Sequence, residues 1–226
     1  MKLLSSDYDG TLNAFGCSLF INLPFIKRLR EDGHIFVLNT GRSFDSIKSK
    51  IVKYHIPYDY LSCNDGNLLL NSNDEVIYST NMDNDISIVL GELKKKFPHI
   101  KLKPIIYDNK ILEYQIIISK MDNEFFLELN RICGLYNLCY KTFHIANQRY
   151  LYICDNKISK STAINKIVEL ENIFNCDIFT VGDDLNDYEM IRDFNGYTFP
   201  WGKKELKSVS QGICGSVASL VKKMTK

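Results

Sequence analysis

Asp7 and Asp9 stand two residues apart in S-S-D-Y-D-G-T-L (5–12), directly after a short apolar run that reads as a buried strand. Alternate residues of an extended segment share a face. Two carboxylates so placed can divide a reaction, one attacking as nucleophile and the other giving and taking a proton. Three further polar clusters carry similar potential: L-N-T-G-R-S (38–43), Lys160 at the opening of a helix, and V-G-D-D-L-N-D (181–187). Bringing Asp7, Asp9, Asp183 and Asp187 together would concentrate negative charge, and crowded carboxylates raise one another's pKa. A hard divalent cation relieves this, and a ligand set of oxygens with little else selects magnesium. Lys160 and Arg42 add positive charge and donors, while Gly10 and Gly41 leave backbone N–H groups open to an anion. A cation, a lysine and open amides together describe a phosphate site. Taken singly, D-x-D-G-T reads as a turn, T-G-R as a turn or helix cap, Lys160 as a solvent charge and G-D-D-L-N-D as an acidic helix start. Their order and their position at strand ends carry the functional reading.

The elements that must position these clusters alternate. Residues 2–6 and 35–39 predict buried strands, 23–32 a helix with Pro24 near its start, and Ser43 caps the next helix, with Ile47 and Ile51 apolar. A third strand is expected over 59–63. Strand and helix in alternation signal a parallel, doubly wound sheet. The pattern then changes. A hairpin around N-S-N-D precedes a helix over 83–97, strands at 101–107 and 111–118, a helix capped by Asp122, and strands near 138–145 and 149–154. Paired strands joined by short turns imply an antiparallel sheet with helices on one face. Tyr107 and Tyr114 read as sheet residues, and His144 and Arg149 as flanks of a surface turn. The alternation resumes with a helix over 159–174, a strand at 177–181, a helix at 186–194, a strand at 196–199 and a terminal helix near 214–224. The expected fold class is α/β: a doubly wound, Rossmann-like core formed by residues 1–80 and 155–226, with an inserted α+β cap over 81–154. Open parallel sheets bind ligands beyond the carboxyl ends of their strands, where three of the four clusters fall.

Bulk properties narrow the classes. Of the 226 residues, 45% are apolar and 24% charged, with a net charge of +1, ordinary values for a globular chain with a real core. The short lysine clusters at 94–96, 203–204 and 222–223 read as solvated helix faces, so no nucleic-acid partner is expected. The seven cysteines (Cys17, Cys63, Cys133, Cys139, Cys154, Cys176 and Cys214) include no C-x-x-C pair and read as reduced core residues. The four histidines are scattered without metal spacing. The start M-K-L-L-S-S-D-Y-D does not read as a signal peptide, and no run is long enough for a membrane span. These features imply a cytoplasmic location and no membrane partner.

The four clusters resemble the four motifs of the haloacid dehalogenase-like superfamily. With the insertion placed after the third core strand, the chain is similar to its Cof-type sugar-phosphatase subfamily, whose cap has the αββαββ pattern. N-D-G (64–66) resembles the N-G turn that follows the third strand there. The resemblance implies a magnesium-dependent phosphatase. Asp7 would form an aspartyl-phosphate, and Asp9 would act as general acid and base. Asp7, the backbone carbonyl of Asp9, and Asp183 would hold the metal, with Asp187 supporting it. Thr40, Gly10, Gly41, Lys160 and Asn186 would bind the phosphoryl oxygens, Arg42 would reach substrate or a neighbouring carboxylate, and Thr11 would orient the loop. The implied partner is a small phosphorylated metabolite such as a sugar phosphate. Phosphomutase chemistry is the alternative, and a non-catalytic phosphate-binding regulator a third that the retention of both Asp7 and Asp9 disfavours. Tyr8 departs from the usual aliphatic residue, and the insertion is short for the subfamily.

Overall fold

The computed structural model describes residues 1–15, 18–118, 122–145 and 148–225. Cys17 and the side chains of His144 and Cys176 lie outside the described residues. The chain divides into two compact units, Met1–Tyr78 with Ser159–Lys226, and Ser79–Ile158.

In the first unit, β1 (Leu3–Ser6), β2 (Ile35–Asn39), β3 (Tyr60–Cys63), β10 (Ile178–Val181), β11 (Asn195–Thr198) and β12 (Gly212–Ile213) run parallel in the order β12-β11-β10-β1-β2-β3. β4 (Leu68–Asn71) then pairs antiparallel with β3, and β5 (Val76–Ser79) forms the edge. Every residue of β1 and β2 is buried, as strands covered on both faces must be. Leu3, Ile35 and Val37 pack with Ile164 and Ile167 of α5 (Lys160–Glu171) and with Met190 and Ile191 of α6 (Tyr188–Asp193). The intervening Leu4, Phe36 and Leu38, fully buried, point to the opposite face.

Four local expectations are corrected. α1 spans Ser18–Glu31, so Pro24 lies inside it. The buried stripe Leu19, Asn22, Ile26 and Leu29 runs through the proline, which removes only one ladder bond. Ser43 occupies the N-cap position of α2 (Phe44–Tyr54) in extended conformation but makes no side-chain cap bond. The helix expected over 186–194 is a single 3₁₀ turn, Leu185–Asp187, followed by α6. The terminal helix α8 (Val217–Met224) starts where Ser216 and Ser219 exchange side-chain and backbone hydrogen bonds at 3.1 Å. The short helix α7 (Lys204–Val209) and β12 carried no sequence expectation.

The second unit is α3 (Asn84–Lys96), β6 (Lys101–Tyr107), β7 (Lys110–Ile118), α4 (Asn123–Tyr136), β8 (Leu138–Ile145) and β9 (Gln148–Asp155). Its antiparallel sheet has the order β6-β7-β9-β8. Asp122 caps α4 by accepting from the Phe125 N–H at 3.1 Å. Leu90, Leu93, Phe125, Leu129 and Ile132 of the two helices close over Tyr114, Ile116, Leu151 and Ile153 of the sheet. Arg149 pairs with His144 across the β8–β9 ladder.

Five described cysteines, Cys63, Cys133, Cys139, Cys154 and Cys214, are free. Burial pushes the Cys133 and Cys214 thiols up to about 11, so both stay protonated and behave as small hydrophobes. No helix among the described residues is long and apolar enough to cross a membrane.

Candidate active site

Asp7 follows β1, Thr40 follows β2 and Gly182 follows β10, so their loops emerge at one end of adjacent parallel strands. Lys160 arrives differently, as the first residue of α5. That start is set by Thr162, whose hydroxyl accepts from the Ser159 N–H at 3.1 Å. Asn39 then ties the helix to the sheet, its side chain donating to Ser5 Oγ at 3.2 Å and to the Lys160 carbonyl at 3.0 Å.

Lys160 is fully buried, and its ammonium donates to Asp7 Oδ1 and to Asp187 Oδ1, both at 2.6 Å. Burial alone would lower the lysine's pKa. Asp187, Asp7 and Asp65 outweigh it and hold the group charged, above the usual lysine range. Asp187 places its other oxygen on the backbone N–H groups of Asp183 (2.8 Å) and Asp184 (3.1 Å). It is therefore a brace between the 181–187 loop and Lys160. Thr11 donates to Asp183 Oδ1 at 2.6 Å and so fixes that carboxylate against the D-x-D-G-T loop. Gly10 permits the approach: its φ is +78°, and a Cβ there would lie 2.2 Å from Asp183 Oδ2.

Asp9 is set apart from this cluster. Its half-exposed carboxylate takes a two-point ion pair from Arg42, with Nε to Oδ2 at 2.6 Å and Nη2 to Oδ1 at 2.8 Å. Arg42 also donates to Ser46 Oγ at 2.9 Å and lies 5.6 Å from the ring centre of the buried Tyr8. The arginine thus reaches a neighbouring carboxylate, and Tyr8 forms the floor beneath it. Buried Thr40 accepts from the Arg42 N–H at 3.2 Å. Asn186 donates to Asp65 Oδ1 at 2.9 Å.

Oxygens of Asp7, Asp183 and Asp187 lie within 4.8 Å of one another, close enough to share a cation. Their electrostatics asks for one. Burial pushes the Asp7 carboxyl well above the usual carboxylate range against the pull of Lys160, with Asp187 and Asp183 adding repulsion. Burial also raises Asp183 to about 6, opposed by the Thr11 hydrogen bond and reinforced by Asp187 and Asp184. A divalent cation supplies the missing positive charge, and carboxylate oxygens are the donors a hard cation prefers.

Two contributors escaped the sequence reading. Asp65 contacts Lys160 at 3.9 Å as well as Asn186, although N-D-G signalled only a turn. Trp201 donates its indole N–H to the Gly10 carbonyl at 3.0 Å while stacking on Phe199. The only signal for the second is that this chain has one tryptophan.

A profile of haloacid dehalogenase-like hydrolases matches residues 4–130 and 94–219. This chain belongs to that family. An uncharacterized protein of Mycoplasma capricolum subsp. capricolum is 27% identical over 234 residues, covering 85% of this chain and 88% of its own. Among solved structures, a phosphatase of the same enzyme superfamily from Bacteroides thetaiotaomicron superposes with a TM-score of 0.77 at 18% identity, covering 100% of this chain and 94% of the other. A subclass IIB sugar phosphatase of the superfamily gives 0.75 at 15% identity over 100% and 98%. The family expected from the four clusters is thereby borne out, and the chain is a hydrolase of the haloacid dehalogenase-like type on an α/β core.

Proposed function

We propose that this haloacid dehalogenase-like hydrolase is a magnesium-dependent phosphatase that cleaves a small phosphomonoester, such as a sugar phosphate, in the cytoplasm. The observation that carries the reading is Asp7. It is buried, oriented by Lys160 at 2.6 Å, and within cation-sharing distance of Asp183. The free cysteines suit a reducing compartment. The likeness to a sugar phosphatase supports the substrate class.

Asp7, Asp183 and the backbone carbonyl of Asp9 would hold magnesium, which neutralises phosphoryl charge and keeps Asp7 ionised. Lys160, Thr40, Asn186 and the amides of Gly10 and Gly41 bind the phosphoryl oxygens. A carboxylate oxygen of Asp7 attacks phosphorus, the bond from phosphorus to the leaving oxygen breaks, and Asp9 delivers a proton to that oxygen. Asp9, now basic, takes a proton from water. The hydroxide formed attacks phosphorus, the bond to Asp7 breaks, and inorganic phosphate leaves with Asp7 restored. Arg42 pairs with Asp9 when that carboxylate is ionised, and Thr11 and Asp187 hold Asp183 in place.

Purified protein with magnesium should release phosphate from members of a broad phosphomonoester panel. A product assay for isomerised sugar phosphate, run with a bisphosphate activator, separates hydrolysis from a phosphomutase reaction. Silence across the panel, or isomer without phosphate release, sinks the hydrolytic reading.

Magnesium should also stabilise the fold in a pH-dependent way. Asp7 and Asp183 have folded pKa values above their unfolded ones, so the folded state binds protons more tightly. In the metal-free protein the contribution of these two groups to stability is greatest at low pH and is lost as pH rises from about 4 through about 6. A cation that replaces those protons acts mainly above that window. Magnesium at a hundredfold excess over Kd should add about 2.7 kcal/mol, or roughly 5–10 °C in Tm, at pH 7.5. The gain should be clearly smaller at pH 5. Equal shifts at both pH values in melting experiments would remove the acidic cluster as the metal site.

A further inference from the structure

Asp65 lies at the meeting point of three clusters that the proposed chemistry needs in register. β3 ends at Cys63, and the next residues turn with left-handed backbone at Asn64 (φ 51°), Asp65 (φ 53°) and Gly66 (φ 101°). Two backbone bonds pin the turn to the 38–43 loop: the Asp65 N–H donates to the Thr40 carbonyl at 3.1 Å, and the Asn64 N–H to the Arg42 carbonyl at 3.0 Å. At Gly66 a Cβ would come within 2.2 Å of the Ser159 carbonyl, so the turn sits directly on the start of α5. The Asp65 side chain, itself 8% exposed, therefore enters the site from the side. Its Oδ1 accepts from Asn186 at 2.9 Å and lies 3.9 Å from Lys160 Nζ. A Cβ on Gly41 would lie 3.1 Å from the same oxygen.

A left-handed, non-glycine residue is uncommon and is retained only where its surroundings determine it. A carboxylate beside a phosphate pocket also repels the ligand, so the side chain needs a compensating use. Its contacts supply one. Asn186 is the residue of the 181–187 loop assigned to the phosphoryl oxygens, and an amide hydrogen-bonded to a fixed carboxylate has its rotation restricted. Lys160 is the cation assigned to the same oxygens, and Asp65 faces it from a third side at 3.9 Å, beside the direct bonds it makes to Asp7 and Asp187 at 2.6 Å.

We propose that Asp65 is a positioning residue of the phosphate pocket, acting through Asn186 and Lys160 by holding the amide and the ammonium where they receive phosphoryl oxygens. The proposal rests on the phosphatase reading and deepens it. Asp65 touches no reacting atom. It couples the turn after β3 to the loop after β10 and to the start of α5, so the three move as one.

The test uses substitutions that tolerate the left-handed backbone. D65G keeps the turn and removes the side chain, while D65N keeps an oxygen acceptor in the same place. Binding of inorganic phosphate with magnesium is measured by calorimetry, and KM and kcat with the best phosphomonoester. D65G should weaken phosphate binding and raise KM roughly tenfold, the effect of losing a charge-assisted hydrogen bond, while kcat changes by less than about threefold. D65N should recover most of the loss. N186A, which also removes the amide itself, should cost at least as much as D65G, and the double variant D65G/N186A should lose clearly less than the product of the two single losses, because the Asp65–Asn186 bond is absent from both. Phosphate binding by D65G equal to that of the wild type overturns the proposal, as do losses that multiply in the double variant. A wild type that neither binds nor releases phosphate overturns the phosphatase reading and this proposal together. A wild type that does both, with D65G unchanged, overturns this proposal alone.

Discussion

Asp7→Asn should abolish turnover while leaving the fold intact or stabilised. The asparagine keeps the shape of the carboxylate but has no anionic oxygen with which to attack phosphorus. Removing a nucleophile lowers kcat by about 10⁴-fold or more, as far as assays can follow it. Stability should move the other way. Burial pushes the Asp7 carboxyl well above the usual range, and Asp187 and Asp183 add repulsion, so its ionised form is disfavoured in the metal-free protein. A neutral amide removes that penalty. In metal-free buffer at pH 7.5 the variant should melt at or above the wild type, and magnesium should shift its Tm less. Phosphate-release assays beside melting curves decide the matter. An Asp7→Asn protein that turns over like the wild type removes Asp7 as nucleophile, and one that melts far below the wild type contradicts the electrostatics assigned to the cluster.

Lys160→Met should be the most disruptive single change in the site, for activity and stability alike. Methionine fills a similar volume, so packing is largely preserved and the charge is what is lost. The ammonium is fully buried between Asp7 and Asp187, both at 2.6 Å, and Asp187 is fully buried itself. Taking away one partner of a buried ion pair leaves its carboxylates uncompensated, a loss of about 3–5 kcal/mol. For a chain of this length that corresponds to a fall of roughly 6–20 °C in Tm. Activity should drop by at least about 10³-fold, because a donor to the transferring phosphoryl group is gone and Asp7 loses its orientation. The double variant Lys160→Met/Asp187→Asn distinguishes charge from packing. Removing the second charge should recover a good part of the Tm and none of the activity. If the double variant melts as low as Lys160→Met alone, the stability effect lies in packing and the electrostatic account fails.

The amino-acid sequence by itself determined most of the chain's local architecture and part of the membership of its charged cluster, with Asp9 expected in it but set apart on Arg42 and Asp65 unforeseen. Full burial of residues 35–38 follows from a continuous apolar run, which a sheet covered on both faces accommodates, whereas Ser5, Ser6 and Asn39 are buried although they are polar. The switch to paired strands between residues 101 and 155 is legible from short turns such as Asp108-Asn109, both in left-handed conformation. Asp7, Lys160, Asp183 and Asp187 stand out only as a set, because each has a structural reading by itself and their common position at strand and helix ends carries the signal. Local signals served less well where packing overrode them. α1 runs through Pro24 because a buried stripe on both sides outweighs one missing hydrogen bond.

Tertiary structure alone decided who holds whom. No spacing indicates that Arg42 pairs with Asp9 across 33 residues, or that Lys160 divides itself between Asp7 and Asp187, 153 and 27 residues away. Asp65 is the clearest case. In sequence it is a turn residue between asparagine and glycine. Its carboxylate becomes part of the site only because the left-handed turn after β3 seats on the start of α5 and faces Asn186, 121 residues distant. Periodicity and turn chemistry are local and can be read along the chain. The distances between these side chains arise only when loops from separate strands are set side by side by the order of the sheet.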